Sequence, residues 1–183
     1  MIGGSGVVRD CNCLNNYGNG IECDGGGVVS GCTANNNAEG IYGYSAHFAC
    51  LVSGCVVQNN EIGIDVSPAT VSGCLVQRNT VVGIFVDGNG SRIVGNDCVV
   101  NNSSNSSTDA AIEINDNGNQ VEANRITGGY GGILVTSGNV KNVVIKNSAA
   151  VSAGLNFSVP SGNDLGPVGT AATSTSPWAN ISN

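Results

Sequence analysis

Hydrophobic positions along the chain recur in a compound unit. Its cleanest copy is residues 70–86, Thr-Val-Ser-Gly-Cys-Leu-Val-Gln-Arg-Asn-Thr-Val-Val-Gly-Ile-Phe-Val. Val71 is followed by a small residue, Cys74, then by apolar Val76, then by Asn79, and Gly83-Ile84-Phe85-Val86 closes the unit. Laid along the chain, this skeleton puts Cys11, Cys32, Cys55, Cys74, Asn96, Asn124 and Asn147 at one position. It puts Ile21, Ile41, Ile64, Ile84, Ile112, Ile133 and Leu155 at another. The step is about 23 residues, a period that belongs to solenoids. Alternation such as Ile84-Phe85-Val86 predicts a short strand with Ile and Val inward and Phe outward. The second apolar site turns into Asn in the later copies, leucines are few, and Gly and Asn crowd every repeat. These features disfavour the leucine-rich repeat, whose helical return path would suit neither residue.

About seven windings result. An extra stretch from Tyr44 to Cys50 lengthens the turn between the second and third, and a Ser/Asn-rich insert over 102–109 interrupts the fifth. Beyond Pro160 the pattern stops. In-register stacking would place like residues in ladders, so Asn96, Asn124 and Asn147 are expected to bond one another inside the coil. The row Asn16, Asn37, Asn60, Asn79 and Asn101 is expected at outer turns, because Asn tolerates left-handed backbone. The tail, with Pro167, Pro177 and the sole tryptophan, Trp178, is expected to cover the end of the rod, whose open strand edges would otherwise recruit further chains. Docking of Trp178 on a neighbouring subunit is the alternative.

The apolar-x-x-Asn motif and the Gly-Ile-x-apolar strand resemble the right-handed parallel β-helix repeat of the pectin-lyase-like superfamily. The resemblance spans residues 7–157, and it implies an all-β, right-handed parallel β-helix over 7–159 with a C-terminal cap or assembly tail over 160–183. The Gly-Asn-Asp-Leu-Gly-Pro and Ser-Pro-Trp-Ala-Asn segments of the tail resemble the C-termini of bacterial β-helix repeat proteins. That likeness implies a C-terminal fragment of a longer, uncharacterised bacterial protein. Function is not implied by the scaffold, which serves lyases, hydrolases, epimerases and surface proteins alike.

Charge narrows the partners. The net charge is −7 with only six Lys and Arg, too few to neutralise a run of phosphates, so nucleic acid is excluded as a partner. No apolar run approaches the roughly 20 residues of a bilayer span, and Met1 to Gly6 has neither signal-peptide nor transit-peptide character. The compartment stays open, with a cell-surface or extracellular place favoured by the resemblance. The eight cysteines fall mostly on repeat positions held elsewhere by small apolar residues, which predicts free, buried thiols. Disulfides between neighbouring windings suit parallel side-chain vectors poorly, and paired zinc ligands are missing.

Candidate chemistry lies on the outward position of the Gly-Ile-x-apolar strand, which reads Glu22, Tyr42, Asp65, Phe85, Glu113, Leu134 and Asn156. Carboxylate and aromatic alternate over the first five. Aromatic faces flanked by acids can stack sugar rings and bond their hydroxyls, so these five residues are the expected ligand-binding row and a polysaccharide the expected partner. Carboxylates two windings apart would stand about 9.6 Å from each other, near the upper end of the inverting-glycosidase range. Against catalysis, the polygalacturonase motifs are absent, His47 stands alone in a turn, and Arg78, Arg92 and Arg125 are scattered away from the row. No catalytic residue is assigned. No cofactor is expected, with calcium near Asp87 or Asp116 the one metal that the acidic composition admits. The reading is a non-catalytic rigid scaffold, carbohydrate-binding or at a cell surface. Its rivals are a polysaccharide lyase or glycoside hydrolase using Glu22, Asp65 or Glu113, and a structural module forming homo-oligomers through its ends or tail.

Overall fold

The computed structural model describes residues 6–45, 47–104 and 106–183. Expectations that touch Met1–Ser5, Ala46 and Asn105 lie outside the described residues. Every regular element among those described is a strand, and the strands form three parallel sheets of eight, nine and seven strands. The chain is therefore an all-β parallel solenoid. Each winding contributes one short strand to each sheet in turn. In the fourth winding these are Ala69–Ser72, Leu75–Gln77 and Val82–Val86. No helix among the described residues is long and apolar enough to cross a membrane.

The register explains the core. Val8, Val29, Val52, Val71, Ile93, Val121 and Val144 stand one above another in the first sheet. Cys13, Ala34, Val57, Val76, Cys98, Ile126 and Ala149 do so in the second. Ile21, Ile41, Ile64, Ile84, Ile112 and Ile133 do so in the third. Apolar side chains stacked on their like, mostly branched in the first and third sheets and smaller in the second, fill a three-sided column. Close approach also matters at Gly63 and Gly83. A Cβ at either would lie 2.4 Å from the carbonyl oxygen of the next winding, at Gly83 or Ala111 respectively.

Three side-chain ladders run through the corners. At the first, Asn96 donates through its amide nitrogen to Asn124 Oδ1 at 3.0 Å, and Asn124 likewise to Asn147 at 3.0 Å. The ladder extends from Asn147 to Asn180 in the tail. Each Oδ1 also accepts the backbone N–H of the residue in the preceding winding, from Cys74 onward. The cysteine half of that column, Cys32, Cys55 and Cys74, is buried, whereas Cys11 in the terminal winding is exposed. All eight cysteines are free.

The second ladder corrects the expectation for the outer row. Asn37, Asn60, Asn79 and Asn101 are buried and bond one another in series. The left-handed backbone sits one residue earlier, at Asn15, Asn36, Asn59, Arg78 and Val100. That bend swings the following amide inward, where it replaces the strand hydrogen bonds that a corner breaks. The third ladder was not anticipated. Ser91, Asn119, Asn142 and Asn163 link through backbone donors to side-chain oxygens at the corner leading into the first sheet.

Winding seven departs from the expected register. Phe157, not Leu155, pairs with Ile133, and Ser158, not Asn156, pairs with Leu134. The turn is longer by two residues, so Leu155 points out and is 69% exposed. Asn156 bonds instead to Val151 N–H and to Ser182. Beyond Pro160 the chain lays Asp164–Leu165 against the first sheet and Asn180–Ser182 against the second. Trp178 stays half exposed, with Lys146 Nζ 4.5 Å from its ring centroid.

Replacement of Asn124 by Ala strands the backbone N–H and one side-chain N–H of Asn96, whose other side-chain N–H keeps the Val71 carbonyl, and removes one donor each from Asn147 Oδ1 and the Ile93 carbonyl. Each stranded buried group costs about 1–3 kcal/mol, so urea unfolding of Asn124→Ala should show a loss of about 3–5 kcal/mol. Asn12→Ala, on an exposed strand of the terminal winding, should cost less than about 0.5 kcal/mol. Equal losses would refute the ladder as the source of stability.

Candidate functional site

The outward row of the third sheet is assembled by the same register that packs its inner face. Side chains alternate across a strand, so with Ile41, Ile64 and Ile84 inward, their C-terminal neighbours must point out. Glu22 pairs with Tyr42, Tyr42 with Asp65, Asp65 with Phe85, Phe85 with Glu113, and Glu113 with Leu134. All five expected residues thus share one face in one file, with Leu134 and then Ser158 continuing it.

Burial along the file is uneven. Glu22, Tyr42, Asp65 and Phe85 are partly exposed, but Glu113 is buried at 8% exposure. Burial pushes the Asp65 carboxyl up to about 7, and the nearby charges of Glu39 and Asp87 add to the effect. Burial likewise pushes Glu113 up to about 7, helped by Asp109. Glu39, one strand position before Gly40, is also raised by burial and then by Glu61 and Glu22. Burial, and after it the Asp65 charge, raises the Tyr42 phenol. Two carboxylate oxygens near this face, Asp24 Oδ1 and Glu39 Oε2, are buried without a hydrogen-bond partner.

None of the ion pairs among the described residues relieves this crowding of acids. Arg92–Glu122, Lys146–Glu122 and Arg125–Asp97 all lie on the other two sheets and their corners. The carboxylates suggested for calcium are otherwise engaged: Asp87 accepts from Asn115, and Asp116 from the backbone and side chain of Asn117. No group of three His, Cys, Asp or Glu among the described residues is placed to hold a metal ion. His47 lies exposed in its turn.

Beyond Leu134 the file runs into a cleft of about 330 Å³ lined by Ser107, Asp109, Tyr130, Leu134, Leu155 and Ser158 among others. One wall is the insert of the fifth winding. Asn102, fully buried, donates to the carbonyls of Ser106 and Asp109 and so folds the insert over this end of the sheet. Tyr130 and Leu155 were not foreseen as site residues. Their only sequence signal was an aromatic or aliphatic residue beside glycine in a lengthened turn.

Carboxyls with a raised folded pKa stabilise the fold in their protonated form. Their contribution is complete below about pH 4, the ordinary carboxyl range, and is lost as pH rises through about 7 for Asp65 and Glu113. Melting temperature should therefore fall between pH 5 and 8. Asp65→Asn and Glu113→Gln should each shrink that fall, and the double variant most. An unchanged slope in the double variant would show that these two carboxyls ionise as exposed ones do.

Among known proteins, the chain has no significant match to any family model, any curated relative or any solved structure.

Proposed function

We propose that this protein is a non-catalytic, rigid β-helix scaffold whose third sheet binds carbohydrate, as a pectin-lyase-like protein of bacterial origin working outside the cell or at its surface. The observation that carries the reading is the in-register file of acid and aromatic side chains, Glu22, Tyr42, Asp65, Phe85 and Glu113. Tyr42 and Phe85 are two strands apart, about 9.6 Å, with Asp65 between them. Two aromatic platforms on a face that cannot flex hold successive rings of a sugar chain at little entropic cost. The acids between and beside them accept hydrogen bonds from sugar hydroxyls, and the crowding of acids on this face, with Asp65 and Glu113 pushed toward their protonated forms, makes a neutral or hydroxyl-rich glycan a better guest than a polyanionic one. A glycan array should give hits for the wild type that Tyr42→Ala and Phe85→Ala each weaken at least about tenfold, about 1.4 kcal/mol. An empty array would end the carbohydrate reading.

A hydrolase is favoured by one feature. Asp65 and Glu113 lie two strands apart with Phe85 between, and a carboxyl that stays protonated near neutrality can act as a general acid. Both carboxyls are displaced in the same direction, however, whereas acid and base roles require displacements that set them apart. The hydrolase therefore ranks second. Reducing-sugar release and absorbance at 235 nm over a panel of polysaccharides separate the readings; activity abolished by Asp65→Asn would reverse their order.

A further inference from the structure

The corner where each winding passes from the third sheet to the first has two inward positions. One continues the file of Val66, Val86, Ile114 and Val135, and the other precedes the first-sheet strand, where Ser91, Asn119 and Asn142 form the third ladder. In the first two such corners these positions are held by Cys23 with Gly27 and by Gly43 with Cys50. Gly27 is the in-register neighbour of Cys50, because Val28 pairs with Leu51. Cys23 meets Gly43, since its N–H bonds the Tyr42 carbonyl. Each corner therefore carries one thiol and one vacancy, in opposite order.

The thiols occupy what the glycines leave empty. A Cβ on Gly27 would lie 2.3 Å from Cys23 Sγ, and one on Gly43 would lie 3.2 Å from Cys50 Sγ. Cys23 approaches from the third-sheet side and Cys50 from the first-sheet side, so their side chains converge on adjoining glycine vacancies. The stacked thiols of Cys32, Cys55 and Cys74 differ in geometry. Their side chains run parallel in one column, and their Sγ atoms bond the carbonyls of Ser30, Ser53 and Ser72. Converging Cβ vectors suit a disulfide and parallel ones do not.

We propose that Cys23 and Cys50 form a dithiol site that closes to a disulfide by exchange with a small-molecule disulfide such as oxidised glutathione, tying together the corners of the first two described windings. The thiolate of one cysteine attacks the glutathione disulfide, forms a mixed disulfide and expels one glutathione thiolate. The second cysteine's thiolate then attacks the protein-side sulfur, forms the Cys23–Cys50 bond and expels the other. Two protein S–H bonds are lost, one S–S bond is gained, and oxidised glutathione leaves as two reduced molecules. Cys23 and Cys50 are 0% and 2% exposed, so exchange passes through opening of winding one. Among the described residues that winding has a strand neighbour on one side only and exposes Val7 and Leu14, which makes it less costly to open than the windings packed on both sides. The bond, once formed, holds it shut.

The test equilibrates the full chain in a glutathione redox buffer with urea below the unfolding transition, then alkylates, digests and maps the cysteines. The expected product has a Cys23–Cys50 cross-linked peptide lighter by about 2 Da than its two reduced peptides together, neither of the two cysteines alkylated, and a higher melting temperature that dithiothreitol reverses. Cys50→Ser should show neither cross-link nor thermal shift. Exposed Cys11 reports that the oxidant acted. Alkylated Cys23 and Cys50 beside an oxidised Cys11, or either of the pair bonded to a different cysteine, would overturn the proposal. Wild-type mapping decides the matter even where Cys50→Ser folds poorly, and Cys23→Ala serves as the second variant.

Discussion

Most buried polar groups in the corner ladders are satisfied by their counterparts one winding away, Asn119 Nδ2 being an exception. A solenoid turns its backbone sharply three times per winding, and each turn breaks the run of strand hydrogen bonds. Water cannot reach those groups from inside. A carboxamide solves the problem because its nitrogen and oxygen donate and accept along the stacking axis at once. Asn124 illustrates it: Oδ1 accepts from the backbone and side chain of Asn96, while Nδ2 serves Ile93 and Asn147. Such a ladder works only if the windings keep register, and in doing so it enforces that register.

Cysteine enters the first column as the other side chain small enough to fit. Its thiol is a weak donor and has no amide to pass along. Cys32, Cys55 and Cys74 therefore donate to carbonyls two residues earlier in their own winding, and the column behaves there as a stack of apolar groups. At Cys74 the two solutions meet, where its backbone N–H is taken by Asn96 Oδ1.

The fold was legible because solenoid physics writes itself into one dimension: Ile21, Ile41, Ile64, Ile84, Ile112 and Ile133 are neighbours in space for the same reason that they share a repeat position. Inward against outward in the third sheet followed from strand alternation alone, and so did the file from Glu22 to Glu113. The hidden parts depend on which way a corner bends. Asn36 and Asn37 are both Asn, and only the left-handed φ of 57° at Asn36 decides that Asn37 is the one turned in. Leu155 and Phe157 are both apolar beside a Gly-rich turn, and turn length, invisible to a hydropathy pattern, decides which one enters the column. The pairing of Cys23 with Cys50 was hidden more deeply, since it depends on two glycines rather than on anything the cysteines share.

The electrostatics of the candidate face follow from the same register. Stacking places identical positions about 4.8 Å apart, so a file of carboxylates on consecutive windings would repel strongly. Alternation with Tyr42 and Phe85 doubles the spacing between Glu22, Asp65 and Glu113, yet the flanking Glu39, Asp87 and Asp109 return part of the charge. With the ion-paired bases on the other sheets, relief on this face comes from protonation. An acid-rich surface whose least solvated members carry a proton near neutrality presents hydroxyl donors as well as acceptors. That mixture of donors and acceptors is what the glycan partner proposed above would meet.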